Sequence, residues 1–153
     1  MIGDCHCIVD GKYYDNPKPY EIPIAKKRAE ILKDALANGA TVEELRRNDI
    51  GRESVLPILK EACKEQNKAY SVIDGFPIPL QHVRVIKVKA PETEIVLASD
   101  GYPRLMPTLR ESEKELERLL AEDSLCIGDN IATKGLKVGQ KSFDDRSYIR
   151  LTS

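Results

Sequence analysis

The sequence predicts an α+β fold, an antiparallel sheet with helices layered on it. A hairpin signal opens the chain, where Cys5–Val9 and Lys12–Tyr14 flank the two-residue turn Asp10-Gly11. Helical patterns then follow in one block, and β patterns follow in another before a further helix and a last strand at 146–151. Helices that occur in blocks, rather than one after each strand, favour an α+β arrangement over a parallel α/β sheet.

Four helices are predicted. They cover residues 24–38, about 41–48, 53–66 and about 108–122. Apolar residues at helical spacing indicate the first and third, and Gly39 is suited to end the first. Capping-box spacing, a threonine followed three residues later by a glutamate, starts the second and fourth. Pro57 is compatible with the third helix because the predicted start places it near the first turn.

Three strands are predicted in succession after the helical block. They cover residues 70–73, 82–88 and 94–98, and the first two flank a turn at 74–77. No repeat, low-complexity run or linker divides the chain, and 153 residues is the length of one ordinary domain. We therefore expect a single domain over residues 1–153.

Composition excludes several classes of function. The net charge of −1 comes from 24 basic and 25 acidic residues spread along the chain, which leaves no basic face for nucleic acid. The apolar runs fall far short of the roughly 20 residues of a membrane span. The first residues lack the basic and apolar regions of a secretory signal, so a cytoplasmic location is expected.

The four cysteines are expected to be free thiols, because they are too few and too scattered for a disulfide framework. Cys5-His6-Cys7 invites a zinc interpretation. On a strand, however, the two cysteines point to one face and the histidine to the other, so buried structural cysteines are favoured. Only two histidines occur in the chain, which disfavours a histidine-based nucleophilic mechanism.

Two aspartates stand out because each lies at the end of a β segment, where a scaffold can present a side chain to a cleft. Asp100 follows the predicted strand 94–98 and precedes Gly101, and Asp144 comes just before the last strand. Carboxylates held in this way suit Mg²⁺ or Mn²⁺, which prefer oxygen ligands. Considered without a family, an Asp-Gly after a strand is more often a turn than a metal site.

The order of the motifs favours the metal interpretation. Gly3-Asp4-Cys5 opens the first strand, Ser99-Asp100-Gly101 follows a hydrophobic strand, and Asp144-Asp145-Arg146-Ser147 leads into the last strand. In this order, with the hairpin and the capped helix between them, these segments resemble the C-terminal half of the type 2C family of metal-dependent protein phosphatases. The resemblance covers most of the chain and implies part of that family's αββα sandwich.

The resemblance also implies site residues and a chemistry. Asp100 and Asp144 would be ligands of Mg²⁺ or Mn²⁺. Asp145 would be either a weaker ligand or a residue that contacts the ligands, and Gly101 would also lie beside them. In such enzymes two metal ions bridge a water or hydroxide that attacks phosphoserine or phosphothreonine directly. Lys134 and Arg146 are candidates to approach phosphate, although a solvated surface role is favoured for both. The catalytic and phosphate-contacting residues are not assigned.

The departures from the family are as informative as the matches. Its earlier half supplies a glutamate and an Asp-Gly motif to the metals, and neither precedes Gly3. Asp74-Gly75 is expected to be an ordinary turn. Metal binding by this chain alone should therefore be weak. A chain that starts in mid-sheet would also expose a strand edge and an apolar sheet face, which favours a homo-oligomer or a missing N-terminal segment.

Two functions remain open at this point. The first is a phosphoprotein phosphatase module that is incomplete as an isolated chain, and the second is a non-catalytic phosphatase-like fold used for oligomerisation or binding. A phosphohydrolase with an aspartyl nucleophile is set aside, because the first strand contains no Asp-x-Asp motif.

Overall fold

The structure is a computed structural model that describes residues 1–88 and 92–152, and the chain divides into two compact units. Unit 1 comprises Met1–Lys18, Glu65–Leu116 and Asp144–Ser153, and unit 2 comprises Pro19–Lys64 and Glu117–Phe143. Together they contain a four-stranded antiparallel sheet and helices, which confirms the α+β class. The phosphatase sandwich and the single domain over 1–153 stay predictions.

Unit 1 contains the sheet. Its strands are β1 (His6–Val9), β2 (Lys12–Tyr14), β3 (Glu94–Ala98) and β4 (Tyr148–Thr152), in the order β2-β1-β3-β4. The predicted hairpin is confirmed, and both turn residues have the positive φ of a type I′ turn, 47° at Asp10 and 77° at Gly11. The strand predicted at 94–98 is also confirmed, and the last strand begins two residues later than predicted.

One face of the sheet carries two apolar rows, each of which runs across three strands. The strand register aligns Cys7 with Leu97 and Ile149, and aligns Val9 with Ile95 and Leu151. Residues directly opposite each other in antiparallel strands share a face. Leu97, Ile149 and Leu151 are 41%, 53% and 50% exposed. The apolar sheet face expected from the sequence is therefore present and about half exposed on β3 and β4.

The strands predicted at 70–73 and 82–88 are wrong. Tyr70 makes only an isolated bridge with Gln66. His82 is the last residue of a short 3₁₀ helix, Leu80–His82, and residues 83–88 are irregular. The Asn67 side chain bonds the backbone N–H of Val72 at 3.0 Å, a local contact that competes with strand pairing. Propensity for β structure thus did not supply a partner strand here.

Unit 2 contains helices α1 (Glu21–Ala37), α2 (Val42–Arg47) and α3 (Ile50–Cys63). Helix α4 (Leu109–Glu122) has its first half in unit 1 and its second half in unit 2. Both predicted capping boxes are present, at Thr41 and at Thr108. Helix α1 begins at Glu21, three residues before the predicted start. The proline at position 23 then falls in the first turn, where a proline is tolerated. Gly39, with φ 95°, follows its end as predicted.

Helix α3 begins earlier than predicted, which corrects the placement of Pro57. Asp49 caps this helix by accepting the backbone N–H of Arg52 at 2.7 Å. Pro57 is therefore the eighth helical residue and lies in the helix interior, not near the first turn. A proline there removes one helical hydrogen bond, and its exposed side chain brings no compensating burial.

A fully buried arginine organises unit 2. Arg28 on α1 is 0% exposed, and its guanidinium pairs with Asp49, with Nη2 2.7 Å from Oδ2 and Nε 3.2 Å from Oδ1. Nη1 donates to the carbonyl oxygens of Cys126 at 3.4 Å and Ala132 at 3.0 Å. One cation thus links α1, the start of α3 and the irregular chain after α4, beside a small core of Leu32, Leu45 and Leu125.

None of the helices in the described ranges has both the length and the apolar character that a membrane span requires.

Candidate functional site

The predicted site residues lie at one end of the sheet. Because neighbouring strands are antiparallel, the start of β1 and of β4 meets the end of β2 and of β3 at that end. Each of the four strands has an aspartate within a few residues of this end, and they are Asp4, Asp15, Asp100 and Asp144. The fold therefore gathers carboxylates from segments that are far apart in the sequence.

The two segments predicted to carry the metal ligands contact each other directly. The backbone N–H of Ser99 donates to the carbonyl oxygen of Ser147 at 3.2 Å, and the N–H of Ser147 donates to Ser99 Oγ at 3.0 Å. These reciprocal bonds continue the β3–β4 pairing for one more step beyond Ala98 and Tyr148. The turn that contains Asp100 is thereby held against the segment that contains Asp144.

Gly101 is buried where these segments meet. A Cβ atom at this position would lie 2.7 Å from Arg146 Cβ and 2.8 Å from the carbonyl carbon of Asp145, and closer still to the Asp145 carbonyl oxygen. Real Cβ atoms essentially never approach other atoms this closely. The glycine of the Ser-Asp-Gly motif is thus required by the close approach of the 144–147 segment.

The two predicted ligands differ in their surroundings. Asp100 is exposed, whereas Asp144 is half-buried. The Asp144 Oδ1 atom accepts the backbone N–H of Asp145 at 3.0 Å, and Asp145 itself is exposed. The structure brings the two predicted segments together, and the assignment of these carboxylates as metal ligands stays a prediction.

His6 lies at the same end of the sheet and is opposite Ala98 in the register. Its Nδ1 atom is hydrogen-bonded to the Tyr13 hydroxyl. Burial lowers the pKa of His6, against the opposing influence of Asp15, Asp100 and Asp4, and burial raises the pKa of Tyr13 to about 12. Three aspartates thus influence one imidazole, and one of them, Asp4, is itself paired with Lys18.

Of the two cysteines adjacent to His6, Cys7 is buried on β1 as predicted, whereas Cys5 is half-buried and precedes the strand. Cys7 is 3% exposed, and its Sγ atom is 3.6 Å from Met1 Sδ. Cys5 Sγ donates to the carbonyl oxygen of Ile2 at 3.5 Å, while the His6 ring bonds to Tyr13. All four cysteines are free thiols, as predicted.

Arg146 is exposed, in line with the surface role that the sequence favoured, and it is also bound by a carboxylate from helix α4. Its Nε and Nη2 atoms donate to Glu113 Oε1 and Oε2 at 2.9 and 3.0 Å. The Tyr102 hydroxyl donates to the same carboxylate. The Arg146 and Tyr102 hydrogen bonds lower the pKa of Glu113, and the Glu113 hydrogen bond raises the pKa of Arg146. Lys134 belongs to unit 2, and its role stays a prediction.

Glu113 is not among the site residues that the sequence predicts. A signal was present, however, because positions 109, 113, 116 and 120 share one helical face, and the other three are leucines. An isolated carboxylate within an apolar stripe indicates a specific partner. Leu109 is itself 48% exposed.

Asp74-Gly75 forms a turn. The Asp74 Oδ1 atom accepts the backbone N–H of Phe76 at 3.1 Å and the side-chain amide of Asn67 at 2.9 Å, and Gly75 has φ 90°. These contacts are typical of a turn closed by an aspartate side chain.

The acidic end of the sheet fits a hard cation in part. Its donors are carboxylate oxygens, which suit Mg²⁺ and Mn²⁺, and Mg²⁺ can be held by one or two carboxylates while it retains several waters. Across 1–88 and 92–152, however, no group of three or more histidine, cysteine, aspartate or glutamate side chains is arranged to hold a metal ion. Metal binding at this end of the sheet therefore stays a prediction.

Comparison with protein family models, with curated proteins and with solved structures found no significant match to this chain.

Proposed function

We propose that the chain is the C-terminal part of a metal-dependent phosphoprotein (Ser/Thr) phosphatase module of the type 2C kind, incomplete as an isolated chain. The observation that carries this proposal is the pairing of Ser99 with Ser147. These residues are 48 positions apart, and their hydrogen bonds join the two motifs on which the resemblance depends. Two short motifs that were identified separately in the sequence are thus adjacent in the fold.

In this proposal Asp100 and Asp144 hold Mg²⁺ or Mn²⁺ at the end of the sheet, with Asp145 beside them. When bound, such an ion lowers the pKa of a coordinated water and stabilises charge on a phosphoryl group. The chain's own contribution is to orient the carboxylates, because Gly101 lets the two segments approach and the Ser99–Ser147 bonds fix their register. The substrate class that follows is a protein phosphorylated on serine or threonine.

The half-exposed apolar rows support the incompleteness of the module. Leu97, Ile149 and Leu151 each expose about half of their surface on one side of the sheet, and β4 is an edge strand. Contiguous apolar surface and open strand edges favour association with another chain or segment. A second copy of this chain or an N-terminal segment is therefore the proposed cover, and a cytoplasmic setting remains part of the proposal.

The test is Mn²⁺ binding to the full chain, measured by titration calorimetry and electron paramagnetic resonance. We expect weak binding in the wild type, loss of it in Asp100→Asn and in Asp144→Asn, and no change in Asp129→Asn. Asp129 is a suitable control because it is an exposed aspartate paired with Arg118 in unit 2. Hydrolysis of a phosphothreonine peptide in Mn²⁺ is the accompanying activity assay. Absent binding, or binding that survives both substitutions at the site, would remove the phosphatase proposal.

The half-exposed rows also favour a second candidate, a non-catalytic phosphatase-like fold used for oligomerisation. Sedimentation equilibrium of the wild type and of Leu97→Lys distinguishes it, because a lysine on this face would oppose association through the rows. Self-association that Leu97→Lys abolishes, in a chain that binds no Mn²⁺, would support the second candidate over the first.

A further inference from the structure

We propose that Glu113 is a positioning residue for the candidate site, and that it acts through Arg146 to hold the segment 144–147 beside the Asp100 turn. This inference depends on the proposed function only for the metal that the site would bind. The placement of the segment is a property of unit 1 itself, and it can be measured without a metal.

The ion pair between Arg146 and Glu113 is formed by two hydrogen bonds. Arg146 presents Nε and Nη2 to the two oxygens of Glu113, at 2.9 and 3.0 Å, which is a two-pronged contact that defines orientation as well as distance. Arg146 is only two residues from Asp144. A contact that fixes the direction of the Arg146 side chain therefore restricts the backbone of the predicted ligand.

Glu113 is itself held in place by its neighbours. It lies on α4, one turn beyond the Thr108 capping box, and its Oε1 atom also accepts the hydroxyl of Tyr102. Tyr102 is 2% exposed and follows Gly101 directly, so the same carboxylate is tied to the Asp100 turn. Glu113 thus joins both halves of the candidate site.

Tyr148 extends this support on the other side of Arg146. Its ring meets the Tyr102 ring edge-on, with centroids 6.2 Å apart, and its hydroxyl donates to the carbonyl oxygen of Pro107 at 2.7 Å. The Arg146 guanidinium lies 5.9 Å from the centroid of the Tyr102 ring, within cation–π range. The Arg146 guanidinium and the Tyr148 side chain are thereby placed against the chain that follows Asp100.

The segment 144–147 is not held by regular secondary structure of its own. Residues 145–147 have no regular secondary structure, so repeating backbone hydrogen bonds do not determine their position. Side-chain contacts therefore contribute to it. The Ser99–Ser147 bonds hold the end next to β4, the Ser99 hydroxyl donates to the Asp145 carbonyl oxygen at 3.5 Å, and the Glu113 pair holds the Arg146 side chain. Contacts of this kind around metal ligands are typically worth 10–100-fold in metal affinity.

The experiment compares Glu113→Gln with Glu115→Gln. Glu115 is on the same helix and pairs with Arg104 at 3.0 Å, so both variants remove one arginine partner from α4, but only the first affects Arg146. Amide hydrogen exchange of the full chain reports on the Ser99 and Ser147 N–H groups, and Mn²⁺ titration reports on the site. Arg146→Lys is a further variant that keeps the charge and loses the two-pronged contact.

We expect Glu113→Gln and Arg146→Lys to speed exchange at Ser147 and to raise the Mn²⁺ dissociation constant about tenfold or more. Glu115→Gln should leave exchange at Ser147 unchanged and the dissociation constant within about twofold of the wild-type value. Circular dichroism and thermal unfolding of each variant show whether any loss is local or global.

The outcomes separate the two proposals. Unchanged exchange at Ser147 in Glu113→Gln would overturn the positioning role, whether or not the wild type binds Mn²⁺. Faster exchange with undiminished Mn²⁺ affinity would overturn it as well, because the segment would move without consequence for the site. If the wild type binds no Mn²⁺ but Ser147 still exchanges faster in Glu113→Gln than in the wild type, Glu113 remains the residue that holds the segment. Only the phosphatase proposal would then be rejected.

Discussion

Gly101→Ala is the sharpest test of the candidate site, because the added methyl group enters the contact between the two acidic segments. Its Cβ would lie 2.7 Å from Arg146 Cβ, whereas ordinary van der Waals contact begins at 3.4 Å. The 144–147 segment must therefore retreat by at least 0.7 Å. Overpacking of a buried position costs about 1–3 kcal/mol, which for a domain of this length lowers the midpoint of thermal unfolding by roughly 2–12 °C.

Urea unfolding followed by circular dichroism measures this cost, and Gly128→Ala is the matched control. A Cβ at Gly128 would meet its nearest neighbour, Asp123 Oδ2, at 3.4 Å, so the free energy of unfolding should change by less than about 0.5 kcal/mol. The displacement in Gly101→Ala should also weaken Mn²⁺ binding. If Gly101→Ala unfolds at the same urea concentration as Gly128→Ala, the Asp100 turn and the 144–147 segment do not meet in solution as described.

Three further predictions concern stability. Arg28→Met leaves Asp49 without its buried partner and should lower the free energy of unfolding by about 3–5 kcal/mol in chemical denaturation, so an effect below about 1 kcal/mol would contradict the buried pair. Pro57→Ala restores a helical N–H at an exposed position and should raise the free energy of unfolding by up to about 3 kcal/mol, whereas a loss would place the proline outside the helix. Tyr13 has a pKa raised to about 12, so its contribution to stability is complete below pH 10 and is lost as the pH rises through 12. Ultraviolet titration of the phenolates should show Tyr13 among the late tyrosines, beside Tyr102 and Tyr148, whose pKa values are also raised, and Tyr13→Phe should remove one late transition.

Local sequence signals predicted the parts of the fold that local contacts determine. The Asp10-Gly11 turn and the capping boxes at Thr41 and Thr108 form within a few residues, so their patterns carry the needed information. The strand at 94–98 was likewise apparent from a short apolar run. Elements of this kind do not depend on the rest of the chain for their identity.

The errors occurred where distant or competing contacts decide the structure. The segment 82–88 has a strand-like pattern, but strand formation needs a partner, and the backbone N–H of Arg84 bonds instead to the carbonyl oxygen of Met1 at 3.0 Å. The predicted start of helix α3 was too late, which placed Pro57 too close to the first turn. The helix begins at Ile50 because Asp49 caps it by accepting the backbone N–H of Arg52. Glu113 was missed because its partner lies 33 residues away.

The candidate site was predicted as two separate turns, and the structure adds the contacts that join them. Asp100 and Asp144 could be named from strand ends and a family resemblance, but no spacing in the sequence indicates that Ser99 bonds to Ser147. Pairing between strands is non-local, so a single sequence contains no direct signal for it. The lone glutamate in a leucine stripe at position 113 was the one indirect indication.

The contacts that shape the acidic site and the apolar rows have different consequences for an isolated chain. The site segments are held by hydrogen bonds and an ion pair within unit 1, so their arrangement does not require another chain. The rows at Leu97 and Ile149 remain half exposed, and burial of such surface is the main favourable term in association. A missing segment or partner should therefore affect self-association and metal affinity more than the geometry that joins Asp100 to Asp144. For this reason, Mn²⁺ affinity and sedimentation, measured together on the same preparation, are more informative than activity alone.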